Sequence, residues 1–541
     1  MEKTSTSPEQ SKFVGSETSP LIYYKSPQKK SNVSYVNYET GMFESFTRRC
    51  RPYVYIWASA YIACVCGLLF GYQLAIIGGA LLQLKTQFCL GILQSEVVTS
   101  STVVGSFIGS MTGGIPVDYL GRKVSIIIDA IVFIVGALIL LFSVNYWMLV
   151  LGRLIVGYGI SLNVTAAVVY VSEISPAKNR GLLVGMNQFG ISLGVAIAFL
   201  VSNIFVDVEE GWRYMFGLSI ILALLQGICT LFLPRTPRFL LIRGKEDLAL
   251  KTLQKIRGYE TDVSDEFNEM RTAILEERRY HWWDLFRFKD QMIIRMIIGS
   301  TIALFQQLSG QNSILFYAPV LLKTLGFTSN STATLGTICI GTIKFLSSII
   351  TFFTIDKLGR RPLLLIGISL LAISMLLLGS LSVAFIDPHL ILSTNSMHLS
   401  NCDNTTLTTQ SEYIFPSDVT LTKSEHLSFT MTKWVSLILL LIYIGAYETS
   451  FGTIAWLILT EMFPPSVRGQ AVSLASTVNW AMNFLISITL LSMYNAVLGY
   501  TYIIYGSFCV IAGIFVFFMV PETKGKSLER ISKELKEKRF C

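Results

Sequence analysis

Apolar residues are grouped into long runs, and charged or turn-forming residues separate one run from the next. Twelve of these runs hold about 20 residues or more, which is the length that an α-helix needs to cross the hydrocarbon core of a bilayer. The predicted spans are 54–78, 96–117, 124–143, 147–172, 182–205, 212–233, 293–321, 333–355, 362–386, 433–460, 469–497 and 501–520. The pattern therefore predicts an all-α polytopic membrane protein.

The predicted spans form two groups of six, separated by a highly charged segment with helical periodicity. We interpret that segment as short soluble helices. The predicted organisation is a cytosolic tail at 1–53, an N-terminal six-helix half at 54–233, a cytosolic helical bridge at 234–292, a C-terminal six-helix half at 293–520 and a cytosolic tail at 521–541. A long outer loop at 387–432 lies within the second half.

Composition agrees with this organisation, because 52% of the 541 residues are hydrophobic and 14% are charged, against about 25% charged in a soluble domain. The mean hydropathy of +0.56 excludes an ordinary water-soluble globule. Of the 43 Lys and Arg residues, 35 lie on the side of the tails and the bridge. The opposite loops hold Lys85, Lys323, Lys423 and Lys433. The positive-inside rule therefore predicts cytosolic termini, and no nucleic-acid partner is needed to explain the basic charge.

Residues that usually carry cofactor or enzyme chemistry are not arranged for it. The nine cysteines show no metal-ligand spacing and predict no disulfide scaffold, and the four histidines lie in polar stretches. The chain has no phosphate-cradling loop, and its spans hold no nucleophile and base in a catalytic arrangement. We therefore predict no cofactor, no metal site, no ATP-driven pump and no enzyme.

Three polar motifs of the first half recur in the second half with the same internal spacing. The pairs are Asp118–Lys123 with Asp356–Arg361, Glu173–Gly181 with Glu461–Gly469, and Pro234–Thr236 with Pro521–Thr523. The displacement is 238 residues for the first pair, 288 for the second and 287 for the third, and the long outer loop accounts for the increase. Two parallel six-helix repeats are typical of a two-halved transporter with its substrate site between the halves.

Several further motifs follow one another in a fixed order. They are Phe70-Gly71-Tyr72, Gly152-Arg153, Pro234–Arg238, Gln306–Asn312, Asn479-Trp480 and Pro521–Gly525. With them the chain resembles, from Tyr53 to Arg539, the sugar-porter branch of the major facilitator superfamily, specifically the facilitative glucose transporters and most closely their third class. The resemblance implies the fold of that superfamily, with 12 transmembrane helices in two pseudo-symmetric six-helix halves. It also implies facilitative transport of a hexose, D-glucose, by alternating access.

A neutral sugar needs uncharged hydrogen-bonding groups and a flat apolar face to stack on. Amides in spans five, seven and eleven meet the first need, and they are Gln188, Gln306, Gln307, Asn312, Asn479 and Asn483. The alternative interpretation of these amides is hydrogen bonding between helices, because an amide in hydrocarbon needs a partner. The resemblance implies sugar contacts at these positions and also at Ile191, Lys344, Glu448, Gly452 and Trp456.

Trp456 is the candidate stacking surface. The family usually has a Gly-Pro-x-Pro-Trp run where this chain has Gly452-Thr453-Ile454-Ala455-Trp456. Without the prolines we expect less of a break in span ten. Phe316 and Tyr317 resemble the outer gate of the family, although their sequence positions alone would also fit ordinary core aromatics.

Proton coupling requires a carboxyl group that changes its protonation within the membrane. The proton-coupled members of the family carry Asp or Glu after the span-one motif, whereas this chain has Gln73, which favours uniport. Two other carboxyls lie in spans. We interpret Glu448 as a structural partner and expect Asp129 to remain hydrated near the cytosolic surface. The alternatives are a proton-coupled sugar or polyol symporter and a non-transporting sugar sensor.

Lys344 lies midway through span eight, where a buried ammonium group needs a carboxylate or several hydroxyls. Three roles are open: contact with the substrate, an ion pair with Glu448, or stabilisation of one conformation.

The repeated charges form a second candidate cluster on the cytosolic side. The resemblance implies a salt-bridge network that ties the halves together, formed by Arg122, Arg153, Glu173, Arg180, Arg360, Arg361, Glu461 and Arg468. The alternative is ordinary positive-inside charge, which the identical spacing in both halves disfavours. Arg235 takes the place of the acidic residue that the family usually has after the span-six proline.

Two short motifs concern modification and sorting. Asn404 begins an Asn-x-Thr acceptor in the long outer loop, which predicts glycosylation there. Glu17, Leu21 and Ile22 fit an acidic dileucine signal for sorting adaptors. The predicted location is therefore the plasma membrane, endosomal–lysosomal membranes or both, and the predicted partners are a small sugar and the lipid bilayer.

Overall fold

The computed structural model describes residues 42–176, 180–258, 261–277, 292–327, 329–385, 423–463 and 465–524. All the regular secondary structure in these ranges is helical. Residues 49–541 form one compact unit. Residues 1–48 form a second unit, whose described part is the beginning of a single helix.

Each of the twelve predicted spans coincides with one helix or with a short series of helices. Spans one to six are Met42–Gln87, Ile92–Thr112, Arg122–Leu141, Tyr146–Ile174, Arg180–Phe205 and Gly211–Leu231. Span seven consists of Met292–Leu308, Gln311–Phe316 and Ala318–Thr324, span eight is Asn330–Leu358, and span nine is Arg360–Phe385. Span ten consists of Lys423–Tyr447, Glu448–Gly452 and Ile454–Met462, span eleven is Pro465–Val497, and span twelve is Tyr500–Met519. The short helices are Gly114–Tyr119, Pro237–Ile242, Glu246–Arg257 and Ser264–Glu277.

Eleven helices within the described ranges are long and apolar enough to cross a membrane. Span two is long enough at 21 residues, but it is rich in Ser and Thr. The hydroxyls of Thr99 and Ser106 donate to carbonyls one turn earlier in the same helix, at 2.9 and 3.0 Å, which satisfies them locally. Span two packs against spans four and eleven. Its polar side chains are therefore buried against protein rather than exposed to lipid.

Small residues bring the backbones of neighbouring spans into direct contact in the first half. A Cβ atom added at Gly71 in span one would lie 2.0 Å from the carbonyl oxygen of Ile191 in span five. One added at Gly157 in span four would lie 1.9 Å from the carbonyl oxygen of Thr102 in span two. Helices in lipid associate through this kind of close packing, because lipid tails supply no hydrophobic drive between them. Larger residues at these glycines would force the spans apart.

The bridge helices pack on one side of the helical bundle. Arg257 in the bridge donates to the carbonyl oxygen of Ile174, at the end of span four, at 2.7 Å. The bridge helix Ser264–Glu277 also packs against span eleven of the second half. We refer to this side as the bridge side and to the opposite side as the far side.

The two halves meet where span five packs against span eight and span two against span eleven. Span one also contacts the second half, because a Cβ atom added at Gly78 would lie 3.0 Å from the carbonyl oxygen of Phe316 in span seven. The rings of Phe189 and Phe345 lie 5.1 Å apart between spans five and eight. Nearer the far side, the hydroxyl of Thr334 donates to the side-chain oxygen of Asn203 at 2.9 Å. The site residues lie at this junction between the halves.

Candidate substrate-binding site

The predicted amides of spans seven and eleven form one connected chain of hydrogen bonds. Asn312 donates to Gln307 at 3.1 Å, Gln307 donates to Asn479 at 2.9 Å, and Asn479 donates to Gln306 at 2.8 Å. Gln306 in turn donates to the main-chain oxygen of Phe451 in span ten at 2.9 Å. The structure thus brings four of the six predicted amides together and uses them to join spans seven, ten and eleven.

A break in span seven positions these amides. Gly310 adopts φ +83°, in the left-handed region that favours glycine, between the helices Met292–Leu308 and Gln311–Phe316. A Cβ atom at this glycine would also lie 3.2 Å from the ring of Tyr505 in span twelve. The sequence therefore interrupts the helix inside the amide motif, so that amides on both sides of the break reach the same region.

Two further amides in this region have no hydrogen-bond partner among the described residues. They are Asn483 in span eleven, which is 1% exposed, and Gln311 in span seven, which is fully buried. A buried amide without a partner costs roughly 1–3 kcal/mol. A polyhydroxyl molecule supplies the donors and acceptors that both amides lack. Gln311 is absent from the predicted site residues, although it lies inside the span-seven motif Gln306–Asn312, which indicates a place near the other amides.

Span ten is interrupted in spite of its missing prolines. Residues Glu448–Gly452 form a π-helical segment between the two α-helices of the span. Segments of this kind are frequent at functional sites. The break leaves the carbonyl oxygen of Phe451 to accept from Gln306. Trp456 follows on the next helix and is half-buried, in keeping with a side chain beside a binding site.

Glu448 joins the two halves at the centre of the site. Its Oε1 accepts from the amide of Gln188 at 2.8 Å and from the hydroxyl of Ser192 at 3.0 Å, both in span five. Its Oε2 forms an ion pair with Lys344 in span eight. Of the three roles left open for Lys344, the structure places it in the ion pair. Ser192 is a contact that sequence analysis missed, although it lies one turn after Gln188 on the same helix face.

The remaining predicted site residues lie around this centre. Gly452 leaves room for the carboxylate, because an added Cβ atom would lie 3.1 Å from Glu448 Oε2. Ile191 is half-buried in span five. Phe316 and Tyr317 are buried, and the Tyr317 hydroxyl donates to the main-chain oxygen of Ser487 in span eleven at 3.1 Å.

The repeated charges form matching ion pairs on the bridge side. In the first half, Arg122 Nη2 lies 3.1 Å from Glu173 Oε1. In the second half, Arg360 Nη2 lies 3.0 Å from Glu461 Oε1. Each of these pairs joins spans of one half rather than the two halves. The main-chain N–H of Arg361 donates to Glu522 at 3.0 Å. Arg180 begins span five and Arg468 lies in the first turn of span eleven. The side chains of both residues lie outside the described part of the chain.

The structure does not place Arg153 in this cluster. Span four begins on the far side, so Arg153 lies two turns inside the far end, away from the bridge. Its guanidinium group is fully buried, donates to the main-chain oxygen of Gln73 at 3.3 Å and lies 5.8 Å from the centre of the Phe216 ring. The assignment of Arg153 to the bridge-side network is therefore wrong.

Asp129 is also placed differently from the expectation that it stays hydrated. It is fully buried in the first half, where Oδ2 accepts from Asn163 in span four and from Gln226 in span six, both at 2.8 Å. Oδ1 has no partner among the described residues. Its face of span three points into the bundle, and that determines its burial more than its depth along the helix. Asn404, Glu17, Leu21 and Ile22 lie outside the described residues.

Comparisons with known proteins agree with this architecture. The family model described as "Sugar (and other) transporter" matches residues 59–397 and 413–535. The human protein named solute carrier family 2, facilitated glucose transporter member 12, is 37% identical over 536 residues, covering 91% of this chain and 86% of its own length.

Two solved structures have the same fold. A partially occluded inward-open conformation of the xylose transporter XylE from E. coli matches with a TM-score of 0.69 and 28% identity, covering 88% of this chain and 100% of its own. The structure of the proton:xylose symporter XylE bound to 6-bromo-6-deoxy-D-glucose matches with a TM-score of 0.68 and 28% identity, covering 89% of this chain and 99% of its own. The fold is thus that of the major facilitator superfamily, and the chain belongs to its sugar transporter family.

Proposed function

We propose that this protein carries out facilitative transport of a hexose, D-glucose, by alternating access, with the substrate bound between its two halves. The observation that supports this most is the collection of neutral amides from spans seven and eleven beside Gln188 of span five. Such a site suits a neutral, hydroxyl-rich substrate. The similarity to a protein named as a facilitated glucose transporter supports the same substrate.

The proposed sugar contacts are divided between direct hydrogen bonds and stacking. Gln306, Gln307, Asn312, Asn479 and Asn483 supply hydrogen bonds from the second half, and Gln188 supplies one from the first. Trp456 supplies the flat face, Ile191 and Gly452 border the site, and Phe316 and Tyr317 act as the gate nearer the far side. Alternating access requires contacts from both halves, because the halves move relative to each other around the bound substrate.

We propose uniport rather than proton symport. The position after the span-one motif holds the neutral Gln73, and Glu448 is engaged in an ion pair. Proton symport is the second candidate, because Asp129 is a buried carboxyl with no basic residue among its described hydrogen-bond partners, and a similar structure is that of a proton symporter.

We propose that the bridge side faces the cytosol. The distribution of Lys and Arg supports this orientation. Cys89, which follows span one on the far side, is disulfide-bonded, and disulfides persist in extracellular and luminal compartments. The same orientation would place Asn404 where it is available for glycosylation, and Glu17, Leu21 and Ile22 where sorting adaptors would read them. Plasma membrane, endosomal–lysosomal membranes or both are then the proposed locations.

The bridge-side ion pairs are proposed to keep each half rigid during the transport cycle. Arg122 with Glu173 and Arg360 with Glu461 are expected to hold the bridge-side ends of each half together, so that the halves move as units. Arg180, Arg361 and Arg468 are proposed members of the same network.

The proposed substrate is tested with purified protein in liposomes. Radiolabelled D-glucose uptake is compared with L-glucose uptake for the natural protein and for Gln306→Ala. We expect stereospecific uptake that falls at least about tenfold in the variant, because Gln306 contributes more than one neutral hydrogen bond. Ser348→Ala is the control, since that hydroxyl donates only to Phe345 of its own helix, at 2.8 Å. Equal uptake of both enantiomers, or none of either, would contradict the proposal.

A further inference from the structure

We propose that Lys344 and Glu448 form a latch between the halves. In the closed latch, the Glu448 carboxylate accepts hydrogen bonds from Gln188 and Ser192, and the latch opens when a substrate hydroxyl accepts a hydrogen bond from these donors instead. This inference rests on the proposed function and deepens it, since it assigns Lys344 a positioning role instead of a substrate contact. With such a latch, binding of the sugar and separation of span five from Glu448 would occur together.

The geometry joins three spans at one carboxylate. Both hydrogen bonds to Glu448 Oε1 come from span five in the first half, at 2.8 and 3.0 Å. The ion pair to Oε2 comes from Lys344 in span eight of the second half. Both charged residues are almost completely buried, with side-chain exposures of 0% for Glu448 and 6% for Lys344. The carboxylate is therefore the shared acceptor that links the halves beside the amide cluster.

The chemistry of the pair requires both members. A carboxylate is acceptor-only, so it takes two donors on Oε1 and an ammonium on Oε2 without any unfavourable contact. An amide at position 448 would offer an NH2 group to either the ammonium or the span-five donors. An uncharged residue at position 344 would leave a buried carboxylate without a cation, which is strongly unfavourable.

The elements packed around the latch add few other charges. Span eight contributes Lys344, and span ten contributes Tyr447, whose ring centre is 5.7 Å from the Lys344 ammonium. Span five contributes the neutral Gln188 and Ser192, and spans seven and nine approach the π-helical segment with Gln306 and Gly367. The charge of this region is therefore mainly that of the pair itself.

Substrate entry would change only the span-five side of the latch. A sugar hydroxyl that accepts from Gln188 replaces one hydrogen bond of the carboxylate, while the ion pair stays intact within the second half. The pair carries no net charge, so the site remains suited to a neutral substrate.

The test uses the full chain in liposomes and in detergent, with Lys344→Met, Glu448→Gln and the double variant. We expect Lys344→Met to lower both D-glucose uptake and the melting temperature, because it leaves the buried carboxylate of Glu448 without a cation. The double variant is expected to be more stable than Lys344→Met, because it holds no unpaired buried charge. A Lys344→Met variant as stable as the natural protein, or a double variant less stable than both single variants, would overturn the latch.

Ser192→Ala gives an independent test without changing any charge. Loss of one hydrogen bond to the charged carboxylate should ease opening of the latch and lower the half-saturating D-glucose concentration by about tenfold or more. An increased half-saturating concentration would overturn the latch. The stability measurements do not depend on transport, so they test the latch even if the natural protein moves no D-glucose, a result that would refute the proposed function alone.

Discussion

Glu96 in span two accepts two hydrogen bonds from Ser492 in span eleven, one from the main-chain N–H at 2.7 Å and one from the hydroxyl at 2.6 Å. Glu96 is fully buried and lies near the far-side end of span two. This contact and the hydrogen bond between Thr334 and Asn203 join the halves on the far side. Polar contacts of this kind can break and reform during the transport cycle, as alternating access requires.

Locking this contact should stop transport. In a Glu96→Cys and Ser492→Cys double variant, oxidation is expected to form a disulfide and abolish D-glucose uptake, because the halves can no longer separate on the far side. Uptake should return on reduction. The two single-cysteine variants and the natural protein, treated with the same oxidant and reductant, control for Cys89. Unchanged uptake by the cross-linked protein would contradict a far-side opening at this point.

Asn479 and Asn483 should respond differently to substitution, although they lie one turn apart on span eleven. Asn479→Ala removes hydrogen bonds to Gln306, Gln307 and the Ala303 carbonyl, and we expect it to lower the free energy of unfolding by roughly 1–3 kcal/mol. Asn483→Ala removes an amide without a partner and should leave stability unchanged or higher.

D-glucose separates a structural role from a binding role for Asn483. Thermal unfolding in detergent, with and without D-glucose, should show that the sugar stabilises the natural protein more than it stabilises Asn483→Ala. If Asn483→Ala were as destabilised as Asn479→Ala and retained the full effect of D-glucose, the assignment of Asn483 to the site would be wrong.

Glu522 stabilises the beginning of span nine. Its carboxylate accepts from the main-chain N–H groups of Arg360 and Arg361, at 3.1 and 3.0 Å. Burial raises the pKa of Glu522, but the main-chain donors of Lys524, Arg360, Arg361 and Thr523 outweigh it, so the pKa lies below its usual 4.5. A lowered pKa gives stability that is complete above the usual value and is lost as the pH falls through the folded-state value.

Glu522→Gln should therefore lower stability by about 1 kcal/mol at neutral pH and should reduce the loss of stability on acidification. Arg235 occupies the equivalent position in the first half, where no acidic side chain caps span three. Arg235→Glu should add such a cap and raise the melting temperature. Melting curves of both variants across the acidic range check this, and a stabilising Glu522→Gln would contradict it.

At position 129, substitution of the aspartate by asparagine should destabilise the protein less than substitution by alanine. Asp129→Asn keeps an acceptor for Asn163 and Gln226, so we expect stability and uptake close to those of the natural protein. Asp129→Ala removes the acceptor that Asn163 and Gln226 share and leaves them only the hydrogen bonds to Gln226 Oε1 and to the Ile126 carbonyl, at 3.0 and 3.5 Å. The loss of two buried hydrogen bonds should cost roughly 2 kcal/mol. Expression, melting temperature and uptake with an imposed proton gradient are the measurements. Loss of gradient-driven accumulation in Asp129→Asn would instead support proton symport.

Hydrophobic periodicity and the charge pattern sufficed to predict the twelve helices and the bridge, because the length of a span and the positions of its ends are local properties. The amide cluster was predictable for a related reason. Gln306, Gln307, Asn312 and Asn479 are costly in hydrocarbon unless they meet, and helix spacing places them on compatible faces.

Properties that depend on neighbouring helices were not predictable. The π-helical segment at Glu448–Gly452 forms without a proline, and its contacts with Gln306 and Lys344 come from other spans. Asp129 is buried because of the face it occupies, which hydropathy does not reveal. The misplacement of Arg153 was avoidable, because the alternating direction of the spans places the start of span four on the far side.

The central claim is uniport of D-glucose through the site between the halves. The most direct measurement follows radiolabelled D-glucose in liposomes containing the natural protein until the internal concentration is constant, with and without an inward proton gradient. The account predicts equal internal and external concentrations in both conditions. Accumulation above the external concentration that depends on the gradient would contradict it.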